Sequence, residues 1–350
     1  MRYSVRFAIG FIVVMAAPVA LLILGATQGG IYAIAALLYL TLINQSADAV
    51  VGKITSGDAV RFARDGIPVI FGALHFVVLG FAVWALAVSS HQVWEKIVLF
   101  SAFGFYFGAV SNAVAHELIH RSRPLAFNLG KWMFISHLFG HHTSAHRFIH
   151  HPYVATRFDP NTARFNESFY RYFYRAWRGS FRSGLNVENT RLGLDPESRQ
   201  LPLNHPYFTY IVGAWLFLGL AVAIGGVTGL VIYLGLAFMA QGGLLLTDYT
   251  QHYGLLRQET SEGRFERVGA AHSWNAPHWF TRHLTLNAPL HSMHHTKPGL
   301  DFTELVNPDG APQLPYGPGI MTMIALNPWH WRRLMNPRVV AVQKATLKAA

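Results

Sequence analysis

Long stretches without a charged side chain constrain this sequence more than any other feature. Residues 7–47 form a run of 41 residues without Asp, Glu, Lys or Arg, and residues 200–247 form another of 48. About 20 apolar residues are enough for a helix that crosses a bilayer, so each run can form two spans joined by a turn. Glycines interrupt the apolar residues at 27–30 and 225–229 and mark the expected turns. The sequence therefore predicts an integral membrane protein.

Two further uncharged stretches, 66–94 and 97–115, supply a third and a fourth span. The charged fraction is 13%, about half of what soluble domains carry. We therefore expect an all-α integral membrane protein with six transmembrane helices. Helices one to four fall within residues 1–115, and helices five and six within residues 207–247.

The positive charges fall on one side of this arrangement. Every Lys and Arg except Lys96 lies at the N-terminal tip, between the second and third spans, at 116–199 or after 248. By the positive-inside rule, both termini are expected in the cytoplasm, and residues 116–206 and 248–350 are expected to form a helical cap there. The formal net charge of +11 is explained by this topology and by anionic headgroups, so no nucleic-acid partner is predicted. The aromatic and basic residues 169–178 are typical of an interfacial helix.

Histidine is the chemistry-bearing residue of the chain. There are 19 histidines and no cysteine, so a metal would be held by nitrogen or oxygen ligands. Nine histidines stand in four groups beside the predicted spans: His116 and His120; His146, His150 and His151; His252; His291, His294 and His295.

Spacing explains why such groups can bind metal. Residues four apart in a helix lie on one face, so each cluster can direct its imidazoles at one ion. Nine imidazoles exceed what one ion uses, which predicts two ions; spacing alone does not choose between iron, copper and zinc. A second run, His137, His141 and His142, has the same spacing as the 146 cluster, and spacing cannot decide between the two.

Other classes of protein also use clustered histidines. The sequence from His116 to His120 reads HELIH, and HExxH is the helix of zinc proteases. A protease needs one further ligand, which leaves the remaining histidines unexplained. A non-catalytic metal carrier also stays open, although transporters usually place such ligands near the middle of the membrane.

The ordered motifs resemble those of a known family. HELIHR at 116–121, HRFIHH at 146–151 followed by VATRFDPNTARF at 154–165, QHYGLLR at 251–257, HSWN at 272–275 and HSMHH at 291–295 are similar to those of membrane alkane 1-monooxygenases and of xylene monooxygenase-type hydroxylases. The tail at 314–317 and 328–335 is also similar. The broader relatives are the membrane fatty acid desaturases, and the His-Tyr-Gly element at 252–254 favours the hydroxylase branch.

The resemblance implies a reaction, a site and a location. Two non-haem iron ions, with dioxygen as co-substrate, would hydroxylate a terminal or methyl C–H bond of an n-alkane or, as a second choice, of an alkylbenzene, in a bacterial inner membrane. The implied iron ligands are the nine histidines, with the middle cluster in register at His146 because the 154–165 motif follows it. His141 or His142 would then not bind the metal but would hydrogen-bond a ligand or a carboxylate. A desaturase, which would produce an alkene, is the leading alternative.

Some residues next to the ligands are candidates for other roles. Glu117 and Tyr253 each adjoin a ligand and are candidate catalytic residues, although Glu117 could equally be a hydrogen-bond partner at a helix end. Asp159 could accept a hydrogen bond from a ligand imidazole or cap the turn before Pro160. The family usually has Glu where this chain has Ala145 and Gln251, and Asp at Met293, so we expect altered orientation and redox tuning of the metal.

The reaction also requires electrons from outside the chain. The sequence has no cysteine for an iron–sulfur centre and no Gly-rich dinucleotide fingerprint. The resemblance implies a rubredoxin or a ferredoxin-type reductase as the external electron carrier. A basic cytoplasmic face would attract an acidic carrier.

Overall fold

Five long apolar helices form the membrane part of the described chain. The structure, a computed structural model, describes residues 2–53, 66–261 and 263–349, with side chains from 9 to 346; part of the predicted connection between the second and third spans lies outside these ranges. Within them, the helices that are long and apolar enough to cross a membrane are α1 (Arg2–Gln28), α2 (Gly30–Val51), α3 (Gly66–Ala87), α4 (Val93–Ile119) and α8 (Pro206–Gln251). The prediction of an all-α, multi-pass membrane fold is confirmed.

The first two helices form a tight hairpin. Gly29 joins them with φ 65° and ψ −146°, a conformation that only glycine adopts readily. Two side chains, one just before α4 (Val93–Ile119) and one in its first turn, hold this turn. The His91 Nε2 atom lies 2.7 Å from the Ala26 carbonyl oxygen, and the Glu95 carboxylate accepts a hydrogen bond from the Gly30 N–H at 2.5 Å. The hairpin is thereby fixed against α4.

Helix α8 is broken at its middle. Gly225 and Gly226 are non-helical, and Gly226 has φ 60° and ψ −146°, nearly the conformation of Gly29. The chain doubles back there, and as a consequence Gly229 packs against the Ala221 carbonyl, eight residues earlier. Each half is close to span length, and both halves contact the segment 169–191: the Tyr207 hydroxyl donates to the Phe181 carbonyl, and the Trp177 indole donates to the Gln241 side chain. This break is what six spans require, although the count of six stays a prediction.

The helical cap contains the remaining elements. Its helices are α5 (Pro124–Ser136), α6 (His142–Ala145, His146–His150 and His151–Tyr153), α7 (Phe169–Arg191), α9 (Trp279–Leu284), α10 (His291–Thr296), α11 (Pro318–Ala325) and α12 (Pro328–Ala349), with short 3₁₀ turns at Ala270–His272 and Phe302–Glu304. A small antiparallel hairpin, β1 (Glu259–Ser261) and β2 (Arg264–Phe265), is the one sheet among the described residues. The predicted interfacial segment forms the start of α7, which buries Phe169 and Tyr172 and exposes Tyr170 and Tyr174.

Three of the helices among the described residues contain a π-helical segment. These segments are Tyr39–Ile43 in α2, Tyr106–Ser111 in α4 and His146–His150 in α6. A π turn holds more residues than an α turn, so it rotates the side chains that follow it, and such segments are frequent at functional sites. One of the three precedes His116, and another contains His146 and His150.

Candidate metal centre

The structure brings all nine predicted histidines together, in two groups. The potential ligand nitrogens within each group lie within 4.8 Å of one another. The first group is His116, His120, His146, His151 and His294, and the second is His150, His252, His291 and His295. Neither group contains a carboxylate from the described part of the chain.

Four helices, α4, α6, α8 and α10, position these side chains. His116 and His120 stand at the C-terminal end of α4, His252 directly follows α8, and α10 begins at His291. Each sequence cluster was expected to serve one ion, but the structure divides two of the clusters between the groups. In α6 the π turn aligns His146 with His151, five residues later, and directs His150 to the second group.

The nitrogen positions indicate a cation better than they indicate hydrogen bonding. The Nε2 atoms of His120, His146 and His151 lie 2.9–3.1 Å apart in all three pairs. An imidazole nitrogen either donates its one hydrogen or accepts through its lone pair. Among three mutually close nitrogens two are therefore of the same kind, so the three contacts cannot all be hydrogen bonds. Nitrogens bound about 2.1 Å from one ion at right angles would lie about 3.0 Å apart. The donor set therefore fits a bound metal.

The second group has the same close approach. The His291 Nε2 atom lies 2.9 Å from that of His252 and 3.0 Å from that of His295. The buried Nε2 atom of His150 has no hydrogen-bond partner among the described residues. It is thus available as the fourth ligand of this group.

Burial keeps most of these imidazoles neutral. Desolvation lowers the pKa of His120, His146, His151, His252, His291, His294 and His295 well below the usual value. A neutral imidazole retains the lone pair that a metal ligand needs. At neutral pH, therefore, these rings offer nitrogen donors without first having to lose a proton.

His150 differs because it has an acidic partner. Burial lowers the pKa of His150, but the charge of Asp159 and the 2.8 Å hydrogen bond from His150 Nδ1 to its carboxylate outweigh burial and raise the pKa. Asp159 also accepts hydrogen bonds from the Asn161 N–H and the Thr162 hydroxyl, and Asn161 donates to Asp248. The structure shows both roles expected for Asp159: it bonds to an imidazole, and it caps the turn at Pro160 by accepting from the Asn161 N–H. The carboxylate orients the ring and leaves Nε2 for a metal.

The motif at 272–275 fixes the second group, a role that spacing alone did not reveal. Asn275 accepts a hydrogen bond from the Ser292 N–H at 3.0 Å and donates one to the Ser292 hydroxyl at 2.7 Å, which holds the start of α10. Trp274 donates through its backbone N–H to the Gln251 carbonyl and through its indole to the Tyr253 carbonyl. The motif therefore positions both His252 and His291.

Glu117 has partners on its own helix and across the cap. Its carboxylate accepts hydrogen bonds from Arg121 and, at 2.9 Å, from the Phe302 N–H, and Arg121 also pairs with Asp301. These contacts tie the end of α4 to the segment after α10. They are the contacts of a hydrogen-bond partner at a helix end, and a catalytic role for Glu117 stays a prediction.

Tyr253 is completely buried next to His252, and its hydroxyl points away from the histidine groups. The hydroxyl donates to the Asn336 side chain at 2.7 Å and accepts from the Asn166 N–H at 3.0 Å. Both partners belong to the outer part of the cap. A catalytic role for Tyr253 also stays a prediction.

The competing run at 137–142 lies outside both groups. The His137 Nδ1 atom lies 3.1 Å from the Asn112 side-chain oxygen, and its ring packs against His75 and Phe107. The His141 ring packs among aromatic side chains, whereas the His142 ring lies 5.0 Å from the His146 ring. The arrangement agrees with the register at His146 that the resemblance implied.

The three departures from the family pattern surround the site. Ala145 is buried against Gly184 of α7, and Gln251 reaches the Ala288 carbonyl at 3.5 Å. Met293 lies on α10 between the ligand candidates. The Nδ1 atoms of His146, His151, His252 and His295 have no partner among the described residues, as expected where orienting carboxylates are missing.

A cavity of about 620 Å³ leads to the histidines from the membrane helices. Helices α2, α4, α8 and α11 contribute its walls, and His116, His142 and His291 reach its surface. Several wall residues are threonines, but their hydroxyls donate to carbonyls of their own helices and leave methyl groups for the cavity: Thr41, Thr247, Thr285 and Thr322. The cavity therefore suits an apolar molecule.

Comparisons with known proteins agree with this geometry. The fatty acid desaturase family model matches residues 92–307. Alkane 1-monooxygenase 1 of Pseudomonas aeruginosa is 33% identical over 273 residues, which cover 76% of this chain and 70% of that protein. Alkane 1-monooxygenase of Acinetobacter baylyi is 27% identical over 91% of this chain and 80% of that protein. The xylene/toluene monooxygenase hydroxylase component of Pseudomonas putida is 26% identical over 59% of this chain and 55% of that protein. This chain therefore belongs to the fatty acid desaturase family, together with the alkane 1-monooxygenases.

Proposed function

We propose that this protein is a membrane monooxygenase that uses two non-haem iron ions and dioxygen to hydroxylate a terminal or methyl C–H bond. An n-alkane is the preferred substrate class, and an alkylbenzene is the second. One observation carries the proposal: two groups of buried, mostly neutral imidazoles stand together at the end of an apolar cavity between membrane helices.

The nine histidines are the proposed iron ligands, five for one ion and four for the other. Iron bound there would supply the chemistry of dioxygen reduction and C–H oxidation. Other residues of the chain would orient these ligands. Asp159 orients His150, and the motif at 272–275 holds His252 and α10 in place.

The cavity would bind the substrate and exclude water. The hydroxyls of its wall threonines donate to backbone carbonyls, so the cavity presents few free polar groups to a hydrocarbon. A chain bound there would present one end beside His116 and His291. Excluding water also protects an oxidising site from side reactions.

Electrons would come from a separate carrier on the cytoplasmic side, a rubredoxin or a ferredoxin-type protein. We place both termini and the cap, residues 116–206 and 248–350, in the cytoplasm of a bacterial inner membrane, since the positive charges lie there. Six spans, with α8 counted as two, satisfy this topology.

The test combines metal analysis with oxygenation assays. The purified protein should contain about two irons per chain, and with a reducing system it should convert octane, a longer alkane or xylene to the alcohol. Oxygen in the alcohol should come from labelled dioxygen. Label from water instead, or activity with zinc and no iron, would contradict the proposal.

A desaturase is the second candidate because the family model that matches bears that name. It would use the same histidines but would remove two hydrogens and produce an alkene. Product analysis with one saturated substrate separates the two reactions. An alkene without alcohol would favour the desaturase.

A further inference from the structure

Asp248 is a buried carboxylate next to the second group of histidines. It lies in the last turn of α8, and its carbonyl accepts a hydrogen bond from the His252 N–H at 2.9 Å. The residue is 7% exposed and forms part of the cavity wall, together with His291. A carboxylate side chain therefore lies where the cavity meets the proposed iron ligands.

The surrounding chain compensates this carboxylate only weakly. Its Oδ2 atom accepts one hydrogen bond, from the Asn161 side chain at 2.8 Å. None of the described lysines and arginines forms an ion pair with Asp248. Arg175 donates to the carbonyls on either side of Asn161, but it is paired with Glu167. Burying a carboxylate with so few partners is unfavourable unless a cation balances its charge, so Asp248 fits a place that receives a cation.

The groups around Asp248 indicate where that cation binds. Among the described residues, the titratable side chains that act on its charge are His150, which stabilises it, and Asp159, which destabilises it. His150 belongs to the second group, and Asp159 holds the Nδ1 atom of its ring. Asn161 joins the two carboxylates, since its backbone N–H donates to Asp159 and its side chain donates to Asp248. Two carboxylates are thus held beside one group of ligands.

The first group of histidines has a different electrostatic environment. The carboxylate next to it in sequence is Glu117, which is paired with Arg121. Its negative charge is therefore balanced within the chain, whereas that of Asp248 is not. The two groups offer similar nitrogen donors but differ in the charge that surrounds them.

We propose that Asp248 provides the counter-charge for the ion bound by the second group and raises the preference of that group for a trivalent over a divalent ion. The inference rests on the proposed function, which places iron in both groups. The carboxylate lies outside the set of ligand atoms, so it acts on the ion through space. A fixed negative charge attracts a cation in proportion to the charge of the cation, so a trivalent ion gains more than a divalent one.

The test measures metal binding and reduction potential, without turnover. Asp248→Asn keeps the size of the side chain and an oxygen that can accept from Asn161, so the charge is the main change. The preference for ferric over ferrous iron should fall about tenfold, which raises the reduction potential of one of the two irons by about 59 mV. Zn²⁺ affinity of the metal-free protein should fall about tenfold. Potentials are measured on the iron-loaded full protein in nanodiscs, with Mössbauer spectroscopy to count ferrous and ferric ions.

Two further variants separate charge from folding. Asp48→Asn removes another buried aspartate, 4% exposed, which accepts from the Phe280 and Thr281 N–H groups, and it should leave the potential and the Zn²⁺ affinity unchanged. Asp248→Glu retains the charge and should keep the potential close to that of the unaltered protein.

The possible outcomes distinguish this inference from the proposed function. An unchanged potential in Asp248→Asn with two irons bound would overturn the counter-charge. Equal shifts in Asp248→Asn and Asp248→Glu, or in Asp248→Asn and Asp48→Asn, would overturn it as well, because the shift would not follow the charge at this position. Failure of the unaltered protein to bind iron would instead count against the proposed function.

Discussion

At the scale of single residues, the clearest result is how differently two buried histidines behave. His137 and His146 are both 2% exposed, and both begin a run with the same spacing. His146 places Nε2 within 3.1 Å of two other imidazole nitrogens, whereas His137 lies at hydrogen-bond distance from the Asn112 amide. Burial and sequence spacing are matched, so only the surroundings separate a candidate ligand from a structural residue.

This pair gives the first prediction. His146→Ala should lose iron and abolish turnover, because it removes one ligand nitrogen from the group of five histidines. His137→Ala should keep both, since it breaks one bond to an amide. Iron content by elemental analysis decides, with thermal stability as a check on folding. If His137→Ala loses iron while His146→Ala retains it, the register of the middle cluster is wrong.

A second prediction concerns Asp159, which holds His150. Asp159→Asn keeps the size of the side chain but removes the charge that favours the bond to Nδ1. Loss of such a partner typically costs 10–100-fold in metal affinity or activity, so we expect iron affinity to fall by about that factor. Asp195→Asn, in an exposed turn, is the control and should have no effect. Equal iron affinity in both variants would show that Asp159 does not orient a ligand.

At the scale of elements, departures from regular helices position the site. The π turn in α6 decides which histidines share a group, and the breaks at Gly29 and Gly226 turn two long apolar runs into hairpins. Both glycines have a positive φ that disfavours any other residue. Uncharged runs of 41 and 48 residues indicated that hairpins had to exist, and the glycines show where the chain reverses.

The third prediction tests the break in α8. An added Cβ at Gly226 would meet no atom within 4 Å, so Gly226→Ala changes only the backbone preference. Residues other than glycine in this region cost about 1–3 kcal/mol, and we expect the free energy of unfolding to fall by that amount. Gly219→Ala is the matched control: this helical glycine also has open space, and alanine there should be neutral or stabilising. Equal stabilities in lipid micelles would contradict the assigned turn.

At the scale of the whole molecule, the membrane helices and the cap cooperate to build one site. Helices α2, α4 and α8 supply cavity walls within the membrane part, whereas α11 closes the cavity from the cap. The histidines come from the C-terminal ends of α4 and α8 and from α6 and α10. Neither part alone supplies both the whole cavity wall and all nine histidines.

The fourth prediction addresses the size of the cavity. Ala109 of α4 lies in the cavity wall, so Ala109→Phe should shorten the space available to a chain. We expect kcat/KM for the longest accepted alkane to fall by about tenfold or more, because each lost methylene contact costs 1–3 kcal/mol, while shorter chains lose less. Ile97→Phe, on the exposed side of the same helix, is the control. A uniform loss across chain lengths would argue against Ala109 as a wall residue.

The sequence by itself determined the class of fold and the identity of the candidate ligands. Uncharged runs longer than a span indicate a membrane fold, and nine histidines in four groups beside the spans indicate metal binding. The resemblance then selected His146 over His137. All of these conclusions depend on which residue types follow one another along the chain, and the sequence alone contains that information.

Only the tertiary structure decided how the histidines divide between the two groups. His116 and His294, far apart in sequence, share a group, while the neighbours His150 and His151 do not. The π turn, the ring orientation set by Asp159 and the anchoring of α10 by Asn275 determine this division. The physical reason is that a ligand group is formed by side-chain directions from several elements, and those directions depend on packing that no local spacing specifies.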